Sequence, residues 1–256
     1  MIVSICITLQ LENLSSRWFS HLVHLYKELH RAYHNINHIY ELISLVERFA
    51  DQEVVSTNRS TITMAIFFHD AVYDIGVPHG DNETRSAALW LDFSNEMCHL
   101  LRKFIDDDDE SPAARRGKER EESGEELLEG TGSIFGRLLT KRIQDWILCT
   151  VNHAGVPHDD AGGKFFSSID LCILGKRREG YKKYASFIRS EYRSVPEDVY
   201  REKRSAILRE LLSREVIYEI PCLHAIFESV ARDNIQWEVD MLLDDKQPLI
   251  EDAYWR

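Results

Sequence analysis

The chain has 256 residues, 44% of them hydrophobic and 29% charged, with a formal charge of −12. That composition supports a buried core at this length, and no basic stripe with interleaved aromatics marks a nucleic-acid surface. Scarce Gly (12) and Pro (6) favour helices over a turn-rich β architecture.

Leu14–Leu29 opens the pattern, with Trp18, Leu22, Leu25 and Leu29 at helical spacing and Ser15 or Ser16 as a cap. A second helix is expected from about Asn37 through Ile39, Leu42, Ile43, Val46 and Phe49. Thr61–Tyr73 is apolar enough for a central buried helix. Asn82–Ile105 follows, capped by Asp81 or Asn82, with Ala87, Ala88, Leu91, Leu100, Leu101 and Phe104 as core candidates. Between Asp106 and Gly130, eleven acidic residues oppose four basic ones. This concentration of charge, without aromatics, predicts a disordered insertion over 106–133. Helical periodicity resumes at Ile134 and carries Ile143, Trp146, Ile147 and Val151. Gly155–Gly163 reads as a loop and Phe165–Leu174 as a short apolar segment stopped by Gly175. Three long helices follow: Lys176–Arg193 with Tyr181, Tyr184 and Ile188, Pro196–Arg214 with Ile207 and Leu211, and Leu223–Leu243 with Phe227, Val230 and Ile235. The expectation is a single all-α domain over 14–250, a bundle of about nine helices.

The five cysteines (Cys6, Cys98, Cys149, Cys172, Cys222) form no Cys-x-x-Cys pair and read as reduced thiols in a cytoplasmic or nuclear compartment. Met1–Leu11 lacks the basic start and small-residue cleavage site of a signal peptide. No run approaches the roughly 18 apolar residues that span a bilayer, so no membrane association is expected.

His69-Asp70, at the end of Met64-Ala-Ile-Phe-Phe68, carries the most chemical information. An imidazole and a carboxylate entering a core need a partner, and a cation is one solution. His34 and His38 lie four apart; if both are helical they share one face. His38 is the stronger ligand candidate, while His34 reads as a residue just before the helix, acting from behind the ligands, or as a surface histidine. Asp170 sits in an apolar segment, as a metal ligand or a buried cap. Asp74 either orients a ligand or water or caps the next segment. His153 is an accessory ligand, a phosphate contact or a helix-end histidine. Three histidines (His34, His38, His69) and two aspartates (Asp70, Asp170) suit a divalent metal.

In order, Arg31-Ala-Tyr-His-Asn-Ile-Asn-His38, Ala65-Ile-Phe-Phe-His-Asp-Ala-Val-Tyr-Asp74, Asn82-Glu-Thr-Arg-Ser-Ala87, Thr150-Val-Asn-His153, Asp170-Leu-Cys-Ile-Leu-Gly175, Tyr181–Tyr192, Arg214-Glu-Val-Ile-Tyr218 and Glu228-Ser-Val-Ala-Arg-Asp-Asn234 resemble the HD-domain metal-dependent phosphohydrolase superfamily. More narrowly they are similar to its branch of predicted metal-dependent HD phosphohydrolases. The resemblance spans about Trp18 to Trp237 and implies an HD-like helical bundle with additional C-terminal helices. It also implies His38, His69, Asp70 and Asp170 as the metal ligands. Two features depart from the pattern: the 106–133 insertion, and Tyr200-Arg-Glu-Lys-Arg204 where a glycine is expected.

The expected chemistry is hydrolysis of a small phosphate ester, with nucleotides among the candidate substrates, by water activated on a divalent ion (Mn, Fe, Co, Ni, Zn or Mg). Glu83 and Asp74 are the candidates for orienting or deprotonating that water, with Glu83 equally suited to the start of a helix. Arg85, Arg189 and Arg232 are candidates for holding phosphate, or ordinary helix charges. The rival expectation is a non-catalytic, metal-stabilised helical scaffold or binding module.

Overall fold

The computed structural model describes the backbone of residues 2–109 and 125–244 and the side chains of residues 9–102 and 136–244. Among these residues all regular structure is helical. Nine α-helices run as α1 (Ile2–Leu25), α2 (Ile36–Arg48), α3 (Glu53–Phe68), α4 (Asp81–Asp109), α5 (Glu125–Cys149), α6 (Ala161–Asp170), α7 (Arg178–Glu191), α8 (Glu197–Ser213) and α9 (Pro221–Leu243). A 3-10 segment, Leu171–Gly175, joins α6 to α7. No described helix is long and apolar enough to cross a membrane.

Several helix ends differ from expectation, each for a local reason. Helix α1 begins at Ile2, which puts Ser15 and Ser16 inside it rather than at its cap. Helix α3 begins at Glu53 and stops at Phe68, so His69 and Asp70 lie in the turn that follows it. Helix α4 extends through Asp109 and α5 begins at Glu125, where Glu-Glu-Leu-Leu-Glu is a run of strong helix formers. The expected insertion is therefore flanked by helix within its own bounds, and its centre, 110–124, lies outside the described residues. Asp160 caps α6 by accepting a bond from Gly163 N, so Gly162 and Gly163 are helical rather than part of the loop.

Helix α3 is the hub: it packs against α2, α4, α5 and α6, while α9 packs against α7, α8 and the 3-10 segment. Ile62, Ala65 and Ile66 of α3 meet Ile143 and Ile147 of α5 and Phe165, Phe166 and Ile169 of α6 in one buried cluster. Burying a large aliphatic or aromatic side chain contributes about 1.5–3 kcal/mol. Gly163 lets α6 approach α5 closely, because a Cβ there would stand 2.5 Å from the Trp146 indole nitrogen. The capping carboxylate of Asp160 also accepts from Trp146 Nε1 at 2.7 Å and from Arg142 at 2.6 and 3.1 Å. This fixes the axial position of α6, and hence of Asp170 at its far end.

Four residues expected in the core are exposed instead: Leu29, Leu101, Ile207 and Val230. Leu29 falls in the turn after α1, where helical spacing no longer applies. Leu101 and Val230 lie on the outer faces of their helices, and Ile207 faces a cleft. The Phe104 side chain lies outside the described residues.

Candidate metal centre

Each candidate ligand lies at or near a helix end, where local hydrogen bonds fix its direction. Asn35 caps α2 by accepting from Asn37 N at 2.9 Å and sets His38 in the first turn, buried at 3% exposure. His69 directly follows α3 and is buried at 1% exposure. Its Nδ1 donates to Ile66 O at 2.9 Å, which places the proton on Nδ1 and leaves the Nε2 lone pair for a ligand. Asp70 follows in a turn held by Arg31. That buried guanidinium donates to Asp70 O at 2.6 Å, Ala71 O at 2.9 Å and His34 O at 3.1 Å. One side chain thus binds the α1–α2 loop to the turn carrying two candidate ligands. Asp170 ends α6, and the segment after it is held by Tyr218 OH on Leu171 O and by Asn234 Nδ2 on Leu174 O and Lys176 O.

The four side chains converge. His38 Nε2 lies 3.2 Å from His69 Nε2 and 3.1 Å from Asp170 Oδ1. His69 Nε2 lies 3.0 Å from Asp70 Oδ2 and 3.5 Å from Asp170 Oδ1, and Asp70 Oδ2 is 3.6 Å from His38 Nε2. His38, His69 and Asp170 offer donor atoms within 4.8 Å of one another and could hold a metal ion. With bond lengths near 2.1 Å, neighbouring donors around a six- or four-coordinate ion stand roughly 3.0–3.4 Å apart. Three of the five separations, 3.0, 3.1 and 3.2 Å, fall in that range and the other two, 3.5 and 3.6 Å, lie just above it, and the mixed N/O set suits a first-row divalent metal. The residues present therefore fit the ion.

The electrostatics of the metal-free cluster reflect the same crowding. Burial opposes the charged form of His69, but Asp70 and Asp170 outweigh it and hold its pKa well above the usual imidazole value. Burial also opposes ionised Asp70 and Asp170. The neighbouring His69, joined by His38 at Asp170, prevails and keeps both below the usual carboxylate range.

His153 and His34 flank the centre differently. His153 has a backbone φ of 50°, the left-handed region that side chains other than glycine rarely adopt. Its Nε2 lies 3.7 Å from Asp170 Oδ2 and its buried Nδ1 has no hydrogen-bond partner. Burial, reinforced by Arg214 and His69, lowers its pKa against the pull of Asp170. His34 precedes α2, so it does not share a helical face with His38. Its Nδ1 sits 2.7 Å from Glu191 Oε2. Glu191 is buried and also accepts from Tyr33 N at 2.7 Å, His34 N at 2.9 Å and Tyr73 OH at 2.9 Å. Burial lowers the His34 pKa, yet Glu191 raises it further, to above the usual imidazole value.

A cleft of about 490 Å³ reaches Asp70, Asp170, His34 and His153, and Asp74 and Glu83 line it as well. Asp74 is exposed, with Oδ1 accepting from Gly76 N at 2.8 Å. The three arginines expected to hold phosphate do not line this cleft. Arg85 pairs with Asp81 at 2.6 Å. Arg189 donates to the carbonyls of Tyr192 and Val195. Arg232 binds Glu228 and the carbonyls of Leu212, Arg214 and Glu215, closing the α8–α9 loop. The guanidiniums that reach the cleft belong to Arg204 and Arg214. Arg204 is paired with Glu238 at 2.8 and 3.2 Å. Arg214 binds Glu210 at 3.0 Å and the carbonyls of Asn152 and His153 at 2.5 and 3.2 Å. Neither these arginines nor Glu191 stands out in the sequence, where each is one charge among many on a polar helix.

No family model, no curated protein and no solved structure matches the chain.

Proposed function

We propose that the chain is a metal-dependent phosphohydrolase of the HD-domain type, acting on a small phosphate ester. The observation that carries this reading is the convergence of two buried imidazole Nε2 atoms and two carboxylates beside an open cleft. The order of the motifs, which resembles the HD superfamily from Trp18 to Trp237, supports it. His38, His69, Asp70 and Asp170 would hold the ion. A divalent ion bound there supplies Lewis acidity, acidifying water and offsetting negative charge on a phosphoryl group.

The remaining chemistry falls to side chains of the cleft. Asp74 and Glu83 line the same cleft, and either carboxylate would accept the proton of the attacking water. As the water oxygen bonds to phosphorus, the ester P–O bond breaks and the alcohol needs a proton. His34, anchored through Nδ1 on Glu191, has Nε2 to deliver it. His153, with Nε2 3.7 Å from Asp170 Oδ2, would limit the movement of that carboxylate. The test is phosphate release from p-nitrophenyl phosphate and a panel of nucleotides in the presence of Mn²⁺ or Co²⁺. Turnover that disappears in His69→Ala and Asp70→Ala is the expected outcome. A flat panel on protein carrying its full metal content overturns the reading.

A non-catalytic, metal-stabilised scaffold draws support from one observation: both arginines of the cleft are already engaged by carboxylates. That alternative predicts melting that depends on metal, without turnover of any ester.

A further inference from the structure

The wall of the cleft differs chemically from its metal-facing end. Ile75, Val77 and Pro78 from the α3–α4 loop face it, with Val151 from the turn after α5 and Ile207 and Leu211 from α8. Ile207 is 53% exposed: an isoleucine held against water at the rim of a cavity rather than in the core. An aliphatic surface from three separate elements, gathered at one cavity, marks a binding surface for an apolar group. At about 490 Å³ the cleft lies in the lower half of the roughly 300–1,000 Å³ range of small-molecule pockets.

Charge narrows the ligand further. The cleft is lined by five carboxylates (Asp70, Asp74, Glu83, Asp170, Glu210) and two guanidiniums. Glu238 neutralises Arg204 and Glu210 neutralises Arg214. With Asp70 and Asp170 assigned to the ion, Asp74 and Glu83 remain as acidic groups without a cationic partner in the cleft. A di- or triphosphate would bring several negative charges into a cavity whose guanidiniums, among the described residues, are both already paired, at a Coulombic cost that low dielectric increases. A single phosphoryl group directed at the ion avoids that cost, and an uncharged organic portion can lie on the aliphatic wall.

We infer that the cleft selects monophosphate esters of uncharged, largely apolar alcohols, and that Ile207 is a specificity-determining residue for the apolar portion. This rests on the proposed phosphoryl-directed metal centre. It is tested by binding and turnover separately, so that the two readings can fail independently.

The binding arm titrates Mn²⁺-supplemented protein with the alkylphosphonates from methyl to hexyl by calorimetry, using ATP as the polyanionic comparison. Affinity is expected to rise roughly fourfold per added methylene and to exceed that for ATP at the longer chains. Ile207→Ser should flatten the series, while Ile226→Ser, at an exposed aliphatic position not lining the cleft, should leave it intact. Circular dichroism confirms that both variants fold. The turnover arm compares the corresponding alkyl phosphates. A rising affinity series without phosphate release removes the hydrolase reading and keeps this one. Phosphate release with a flat series, or tighter binding of ATP than of hexylphosphonate, overturns this inference alone. Absence of phosphonate binding also overturns it.

Discussion

Helices α1–α6 and helices α7–α9 contribute to the centre in different ways. Every converging donor atom comes from the first group: His38 from α2, His69 and Asp70 from the turn after α3, and Asp170 from the end of α6. The second group contributes no donor to that cluster. Glu191 of α7 holds His34, Asn234 of α9 grips the segment following Asp170, and α8 forms one wall of the cleft. The converging donors therefore sit at helix ends, and side chains from the surrounding loops and helices hold those ends in place.

Substitutions on the two sides should separate these contributions. The largest effect is expected for His69→Ala and Asp170→Ala, which remove donors from the cluster. Metal affinity should fall by more than about 100-fold, since disturbing even a supporting residue typically costs 10–100-fold. Metal analysis of protein purified without a histidine tag reads this directly. Arg232→Ala, on the other side, should cost about 2 kcal/mol of stability through lost charge-assisted bonds, with unchanged metal stoichiometry in the folded fraction. Equal metal loss in both variants would erase the distinction.

Loading the wild-type protein with metal to 100 times the dissociation constant should add about 2.7 kcal/mol to its stability, reversed by chelation. The same titration on Asp170→Ala should give almost no shift in melting temperature.

A pH effect of intermediate size is expected at the His34–Glu191 contact that joins the two groups. The Glu191 pKa is depressed below 4.5: burial opposes this, but His34 and the backbone N–H groups prevail. Its contribution is present above 4.5 and lost as pH falls through the folded value. The His34 pKa is raised above 6.5, so its contribution is complete below 6.5 and lost as pH rises through the folded value. The contact should stabilise most between pH 4.5 and 6.5. Urea denaturation of metal-free protein should show Glu191→Gln losing more stability at pH 6 than at pH 9. A difference that does not vary with pH would mean that the contact is not an ion pair.

The smallest effect belongs to Arg85→Ala, which breaks an exposed pair with Asp81 on α4. Stability should change by less than about 0.5 kcal/mol, with metal content and the alkylphosphonate series unaltered.

The helical class and the convergence of His38, His69, Asp70 and Asp170 were legible because the signal is local. Apolar runs with helical period surround them, and polar side chains ending such runs stand out. The arginines were not legible. Whether Arg204, Arg189 or Arg232 faces a cleft depends on how α7, α8 and α9 rotate against one another, which no spacing within one helix encodes. Ile207 illustrates a second limit: an apolar residue on a helix face has the same periodicity whether it meets a core or a cavity. Glu191 ends a highly charged helix, and only its burial against the α1–α2 loop distinguishes it from the exposed acids around it.

The backbone of His153 carries one more consequence. A non-glycine residue in a left-handed conformation stores about 1–3 kcal/mol of strain, so His153→Gly should yield a more heat-resistant polypeptide. If the imidazole beside Asp170 serves the metal centre, that gain is offset by looser control of the carboxylate and weaker retention of the ion. Selection for thermal tolerance alone would then favour glycine at this position, and selection for function would restore histidine. Alternating these two selections on a library confined to codon 153 would measure how much durability the protein forgoes to keep that ring in place.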